Sequence, residues 1–393
     1  MILGDNALGK TTILRAIAMS LCGDPGLVNE LEGEWLKSGK LEGTIQLDTR
    51  PSNKNEMPLS IKTIFTRRSL KADIDITQEI YPKGHQVLWD SFFVCGYGAS
   101  RGVTGGEVYS KYSVTDSVYT LFNYDTRLQT PELVIRRIKD MSGPNSDKIQ
   151  KKILNWIDNI LMLPKGATKL EMGGLTVSGP WGKSMPVGAL ADGHQATISW
   201  VVDLLGWALL YDENIFQKEI SGVLLIDEIE QHLHPKWQRN IVPTLRNIFP
   251  KLQFVIATHS PLVAANAGKL FTSDPELKLF HLSQEGKTVR LSEVEENLGE
   301  LNIAQVLSSE AFDYIFTSNP KIENILREAS ILATKDKRTN EEEARYKEIK
   351  NGLKELMFPE GRTPIERIIE KEYYRELEKR IEDFNRMLHK GKQ

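Results

Sequence analysis

The sequence predicts an α/β chain with a parallel core sheet, an antiparallel β-subdomain and a C-terminal helical appendix. Three observations lead there. A glycine-rich loop near residue 4 runs straight into an apolar stretch with helical spacing. Two short apolar runs, Val223–Ile226 and Phe254–Ala257, flank a helical segment, as parallel strands covered on both faces do. Between about residues 43 and 95 the apolar period changes to two, the mark of half-buried antiparallel strands.

The composition narrows the function classes. The chain has 393 residues, with 50 Lys+Arg against 53 Asp+Glu and a net charge of −3. That balance excludes holding nucleic acid by bulk positive charge, and leaves a local basic patch for DNA or RNA open. Two cysteines, Cys22 and Cys95, make neither a disulfide framework nor a zinc site. The most apolar stretch, Ala196–Tyr211, is interrupted by Asp203 and falls short of the ~20 residues a membrane span needs. No signal-peptide progression opens the chain, so a cytoplasmic protein with no membrane contact is expected.

Taken in order, the first element is a strand reduced to Ile2–Leu3, shorter than a phosphate loop usually follows; truncation at this end is expected. Ile13, Leu14, Ile17, Ala18 and Leu21 then mark a helix stopped by Gly23-Asp24-Pro25-Gly26. The period-two runs TIQLDT, LSIKTIFT, DIDITQEI and SFFVC follow as antiparallel strands, and residues 97–127 read as loop. A helical insert is expected over about 130–165, then a hairpin in MGGLTVSGPWGK and the apolar helix from Ala196. Trp237, Ile241, Leu245 and Ile248 fall on one face of a single predicted helix between the two apolar strands. LKLFHLSQEGKTVRL reads as a hairpin turning at Gln284-Glu285-Gly286. Beyond residue 300 three helical stripes recur: Ile322 to Leu332, Tyr346 to Leu356, and Ile365 to Leu388. Thr339-Asn340-Glu341-Glu342 is a capping box for the second. The expected division is a head over 1–300 and a helical region over 301–393.

Gly4-Asp5-Asn6-Ala7-Leu8-Gly9-Lys10-Thr11 fits GxxxxGK[ST], and Thr12 continues into the helix. Glycines let backbone N–H groups curl around a phosphate, and the helix N-terminus adds partial positive charge. In such a loop Lys10 bridges the β- and γ-phosphates of ATP, and the Thr11 hydroxyl ligates Mg2+. The apolar strand Val223–Ile226 ends in Asp227-Glu228, which puts two carboxylates where open α/β sheets bind ligands. Asp227 is assigned to the magnesium, and Glu228 to orienting the attacking water.

Two further pieces make the pattern specific. Leu190-Ala191-Asp192-Gly193-His194-Gln195 resembles the ABC-ATPase signature LSGGQ, with Ala191 where serine is expected. In that pattern Asp192 and Gly193 approach the γ-phosphate of a partner's nucleotide. His259, in Thr258-His259-Ser260, matches the histidine that senses the γ-phosphate in the same class. Together with DEIEQHLHPKWQ and IFPKLQFVIATHSP, these residues resemble ABC-class ATPases related to RecF and to the OLD nucleases. FFVCGYGASR, DSVYTLFNYDTRLQTPELVIRRI and the tail from LSSEAF resemble the ATPase subunits of Septu antiphage systems.

That resemblance implies an ABC-type P-loop NTPase head that binds and hydrolyses ATP with Mg2+. It implies a homodimer with ATP at the interface, acting as a switch on a partner effector such as an HNH nuclease in antiphage defence. Catalysis falls to Glu228, His259 and Lys10. No long heptad run separates Lys10 from Asp227, which argues against SMC-type arms, and the tail has no strand ending in DxD, so no intrinsic nuclease is expected. A RecF-like ATPase binding DNA directly and a slow ATP-binding scaffold are the alternatives. His232 and His234 read as shaping a turn, and Arg101 as either a phosphate contact or a surface arginine.

Overall fold

The computed structural model describes residues 1–23, 39–50, 57–67, 74–83, 92–101, 104–106, 109–268, 274–286, 288–312 and 339–357, with isolated positions at 27, 36, 328 and 332. The chain divides into two compact units, Met1–Ile315 and Phe316–Gln393.

Parallel strands form the centre of the first unit. β1 (Ile2–Gly4) leads into the loop and helix α1 (Lys10–Cys22). The antiparallel β2 (Glu42–Asp48), β3 (Ser60–Arg67) and β4 (Ile74–Tyr81) follow, in that spatial order. β5 (Val94–Tyr97) does not join them. It pairs parallel to β9 (Ser221–Ile226), with Tyr97 opposite Ile226. SFFVC was expected among the antiparallel strands, but Val94 to Tyr97 are all buried, so a period of two does not describe them. β10 (Lys251–Ile256) pairs parallel on the other side of β9. One parallel bridge, Ile2 with Ala257, and a bond from the Thr258 N–H to the Ile2 carbonyl (3.1 Å) bring β1 beside this sheet. β11 (Phe280–Glu285) pairs parallel to β1 and antiparallel to β12 (Thr288–Glu293), with Gly286 in the turn.

The stretch 97–127, expected as loop, contains α2 (Val114–Val118), whose N-cap Ser113 accepts from the Asp116 N–H. Val114, Val118 and Leu121 are buried, an apolar pattern that the surrounding polar residues obscure. The helical insert consists of α3 (Pro131–Met141) and α4 (Ser146–Ile160), and β6 (Thr168–Glu171), β7 (Gly174–Gly179) and β8 (Gly182–Pro186) form a meander. α5 (Asp192–Tyr211) is buried from Ala196 to Leu209 and runs through the core. A helix apolar on every side must be enclosed.

After β9 the expected single helix is two, α6 (Pro235–Gln238) and α7 (Ile241–Ile248). Pro243 has no N–H for the carbonyl of Arg239, so the ladder cannot run on and restarts with proline in its first turn. α8 (Pro261–Asn266) follows β10, and α9 (Ile303–Leu307) closes the unit. Val306, Ala311 and Phe312 bury against Leu3, Ala264, Leu279 and Val294, which carries this unit past residue 300.

In the second unit α10 (Asn340–Met357) opens with the expected capping box. The Thr339 N–H donates to Glu342 Oε2 (3.0 Å), and the Glu342 N–H donates to Thr339 Oγ1 (3.2 Å). Of the three stripes, Leu332, Tyr346 and Ile349 lie among the residues with described side chains; the stripe from Ile365 to Leu388 lies outside the described residues. Among the described residues no helix is long and apolar enough to cross a membrane.

Candidate nucleotide-binding site

The loop between β1 and α1 is shaped by backbone that few side chains tolerate. Gly4 has φ 137°, and a Cβ there would lie 2.6 Å from the Leu282 carbonyl oxygen; Gly9, at φ 97°, caps α1. Ala7 sits at the apex with φ 64°. Asp5, Asn6, Ala7 and Thr12 are exposed and Leu8 partly so, which leaves the loop's rim open. Lys10 is buried. Its ammonium donates to the carbonyls of Gly4 (2.9 Å) and Asp5 (3.0 Å), bridging the loop. Burial lowers the Lys10 pKa, and Glu228, Asp227, Glu230 and Asp5 oppose that shift.

The C-terminal edge of β9 and β10 supplies the facing groups. Thr11 Oγ1 donates to Asp227 Oδ2 (2.6 Å). The other oxygen, Asp227 Oδ1, is buried and lacks a hydrogen-bond partner among the described residues. A buried anionic oxygen without a donor is costly, and one beside a hydroxyl suits a hard divalent cation. Among the described residues no group of three or more His, Cys, Asp or Glu could hold a metal. The Thr11 hydroxyl and the unpartnered Asp227 oxygen suit Mg2+, which commonly takes one or two protein oxygens and completes its shell with phosphate and water.

His259 joins the two halves. Its Nδ1 lies 3.3 Å from Lys10 Nζ, and its Nε2 lies 2.9 Å from Glu228 Oε1. Lysine has only donors, so Nδ1 accepts and the ring proton sits on Nε2, pointing at the carboxylate. Glu228 occupies a left-handed backbone position at φ 48°, and burial raises its pKa while His259 and Lys10 pull the other way.

Sequence reasoning missed Glu230. Its two carboxylate oxygens take the Thr258 hydroxyl (2.6 Å) and the His259 N–H (2.5 Å), which fixes the segment carrying His259. The acidic repeat in Asp-Glu-Ile-Glu was its only signal. Gln238 accepts from the Ser260 hydroxyl (2.7 Å) and donates to the Leu233 carbonyl (2.9 Å), which ties the HLHP turn to the same segment. His234 caps α6 and His232 has φ 64°, so both shape the turn, as expected. Arg101 is not a surface residue; it is buried, and its guanidinium reaches main-chain carbonyls of Gly98, Asp227 and Glu228.

The signature-like segment lies at the start of α5. Asp192 is exposed in the first turn. Gly193 packs on the HLHP turn so tightly that a Cβ would lie 2.2 Å from the His232 carbonyl oxygen. Among the described residues neither makes a hydrogen bond to residues 4–12.

Comparison with known proteins shows what this chain resembles. The family described as "AAA domain, putative AbiEii toxin, Type IV TA system" matches residues 137–265, which hold the signature-like segment, Asp227, Glu228 and His259. The "Septu protein PtuA" of Bacillus mycoides is 29% identical over 266 residues, covering 67% of this chain and 34% of that protein. The chain is PtuA-like in sequence. It spans about a third of the length of that relative. The "Retron Vc95 probable ATPase" of Vibrio cholerae is 39% identical over 84 residues, 21% of this PtuA-like chain and 16% of the relative. Among solved structures the SMC head domain from Thermotoga maritima is similar with TM-score 0.40 and 15% identity, over 75% of this chain and 89% of that one. The fold is α/β, with a glycine-bearing phosphate-loop motif, a parallel sheet and paired carboxylates all present in this chain.

Proposed function

We propose that this chain binds ATP with Mg2+ and hydrolyses it, and that two copies close around the nucleotide as a switch controlling a partner effector. The observation that carries the reading is the convergence of Lys10, Glu228 and His259, with Thr11 and Asp227 beside them, on one sheet edge. Five residues from three distant stretches of sequence meet within hydrogen-bond distance, and each has a task in phosphoryl transfer.

Gly4 to Gly9 present main-chain N–H groups to the phosphates, and the start of α1 favours their charge. Lys10 exchanges loop carbonyls for phosphate oxygens. Magnesium, held by Thr11 and Asp227, would neutralise charge on the β- and γ-phosphates. Glu228 orients a water for in-line attack and accepts its proton. His259 reports the γ-phosphate to Glu228, since its ring already touches both Lys10 and that carboxylate. A second copy related by a two-fold axis would supply its exposed Asp192 and adjoining Gly193 to the neighbouring nucleotide. The similarity to PtuA and to a retron ATPase supports a role in antiphage defence, and a nuclease of HNH type is the effector proposed.

The test is Glu228→Gln. It preserves shape and removes the proton acceptor. ATP affinity should be retained and steady-state hydrolysis should fall by at least about 10²-fold. Undiminished hydrolysis would overturn the assignment.

A further inference from the structure

The carboxylates of Asp227 and Glu228 act from a backbone that must be held. Glu228 takes a left-handed conformation at φ 48°, which an L-residue with a long side chain rarely adopts unless its surroundings fix it. On one side the Asp227 N–H donates to the Tyr97 carbonyl (2.8 Å), continuing the β5–β9 ladder. On the other side lies Arg101, 3% exposed. Its Nη1 donates to the Gly98 carbonyl (3.0 Å) and to that of Asp227, and its Nη2 donates to the Glu228 carbonyl (2.7 Å). One planar guanidinium thus spans consecutive carbonyls on both sides of the left-handed residue.

The turn that carries Arg101 is itself anchored. The Gly98 N–H donates to Thr120 Oγ1 (3.3 Å), that hydroxyl donates to the Gly96 carbonyl (2.6 Å), and a Cβ at Gly98 would lie 2.3 Å from the Thr120 carbonyl oxygen. Burial lowers the Arg101 pKa to about 10, which leaves it charged at neutral pH beside Asp227, Glu230 and Glu228. A neutral donor could satisfy the carbonyls. It could not offset three neighbouring acids.

We propose that Arg101 is a positioning residue of the hydrolytic site, holding the Asp227–Glu228 main chain in the turn that aims the Glu228 carboxylate. This rests on the reading of Glu228 as the water-orienting group. Arg101 acts through that residue and does not touch the nucleotide, so its loss reduces turnover without reducing ATP affinity.

The experiment uses the full chain and measures kcat per ATP-binding site, KM and ATP affinity. Arg101→Lys keeps the charge but cannot span three carbonyls. The expected result is a kcat about 10²-fold lower, the scale of a small misplacement of a reacting group, with ATP affinity within about two-fold. In a Glu228→Gln background the same change should lower turnover no further, because both act on one group. Thr120→Val, which frees the Gly98 N–H with little change in volume, should lower kcat in the same direction by less; it decides the matter if the lysine variant does not fold. An unchanged kcat per site in both variants, a loss confined to ATP affinity, or additive losses with Glu228→Gln would overturn the proposal. Absence of ATP hydrolysis by the unmodified chain would overturn the reading of Glu228 itself, a result distinct from these three.

Discussion

At Glu228 a left-handed backbone and a partly desolvated carboxylate coincide. Such a backbone costs of order 1–3 kcal/mol and persists where the surroundings over-determine it. Because burial raises the Glu228 pKa, the carboxylate is protonated at a higher pH than an ordinary glutamate, and a protonated Glu228 cannot accept the proton of water. Turnover should therefore rise with pH along an acid limb lying above the usual glutamate range; a limb at or below that range would contradict the assignment. Gly193 offers a second test. A Cβ there collides with the His232 carbonyl oxygen, so Gly193→Ala should destabilise the chain by about 1–3 kcal/mol, read as a lower thermal midpoint. For the same reason a bulky residue at Gly193 disturbs its own chain before it reaches a partner, and the exposed Asp192 is the better position for probing an interface. The residues that the sequence made legible, Lys10, Thr11, Asp227, Glu228 and His259, each sit in a short local pattern with a strand or helix beside it. Glu230 and Arg101 were not legible as site residues. Their partners lie 28 and 126 positions away, and those of Arg101 are carbonyls that every residue possesses.

Among the elements, α5 and β5 are joined by a buried polar contact that no motif announces. Asp203 on α5 accepts from the Tyr97 hydroxyl (2.8 Å) and from the Gln129 N–H (2.9 Å). Burial pushes its pKa up to about 6 from the ordinary 3.8. Between about pH 4 and 6 the native state thus holds a proton that the unfolded chain has released. Stability contributed by this group is full below pH 4, declines as pH rises to about 6 and is constant above, a change of about 3 kcal/mol. Asp203→Asn should remove that decline from the pH dependence of the urea midpoint. An identical slope in both proteins would mean that the carboxylate is already ionised at pH 4. The same polar residue interrupts the apolar run from Ala196 to Tyr211, and the sequence reading used it only as evidence against a membrane span. Periodicity also misplaced SFFVC and merged α6 with α7. A four-residue central strand carries too few positions to show its period, and one proline restarts a helix without changing the apolar spacing around it.

Across the whole molecule the head was legible as a class because the phosphate loop, Asp227-Glu228 and His259 each lie just past the end of a parallel strand, where open α/β sheets gather ligands. The limit of the first compact unit was less so. Val306, Ala311 and Phe312 resemble the start of the helical stripes beyond, and only their burial against Leu3 and Leu279 assigns them to the head. In the proposed switch a second copy supplies Asp192 and Gly193 to the nucleotide held by the phosphate loop. On that proposal ATP would contribute binding energy to the closed pair, and hydrolysis would remove the γ-phosphate contact that holds it, biasing a two-state assembly. Sedimentation of the Glu228→Gln protein, with and without ATP and magnesium, tests this most directly. The account predicts a monomer without nucleotide and a dimer with it, lost again in Asp192→Lys while each monomer still binds ATP. An association state indifferent to nucleotide would contradict the switch.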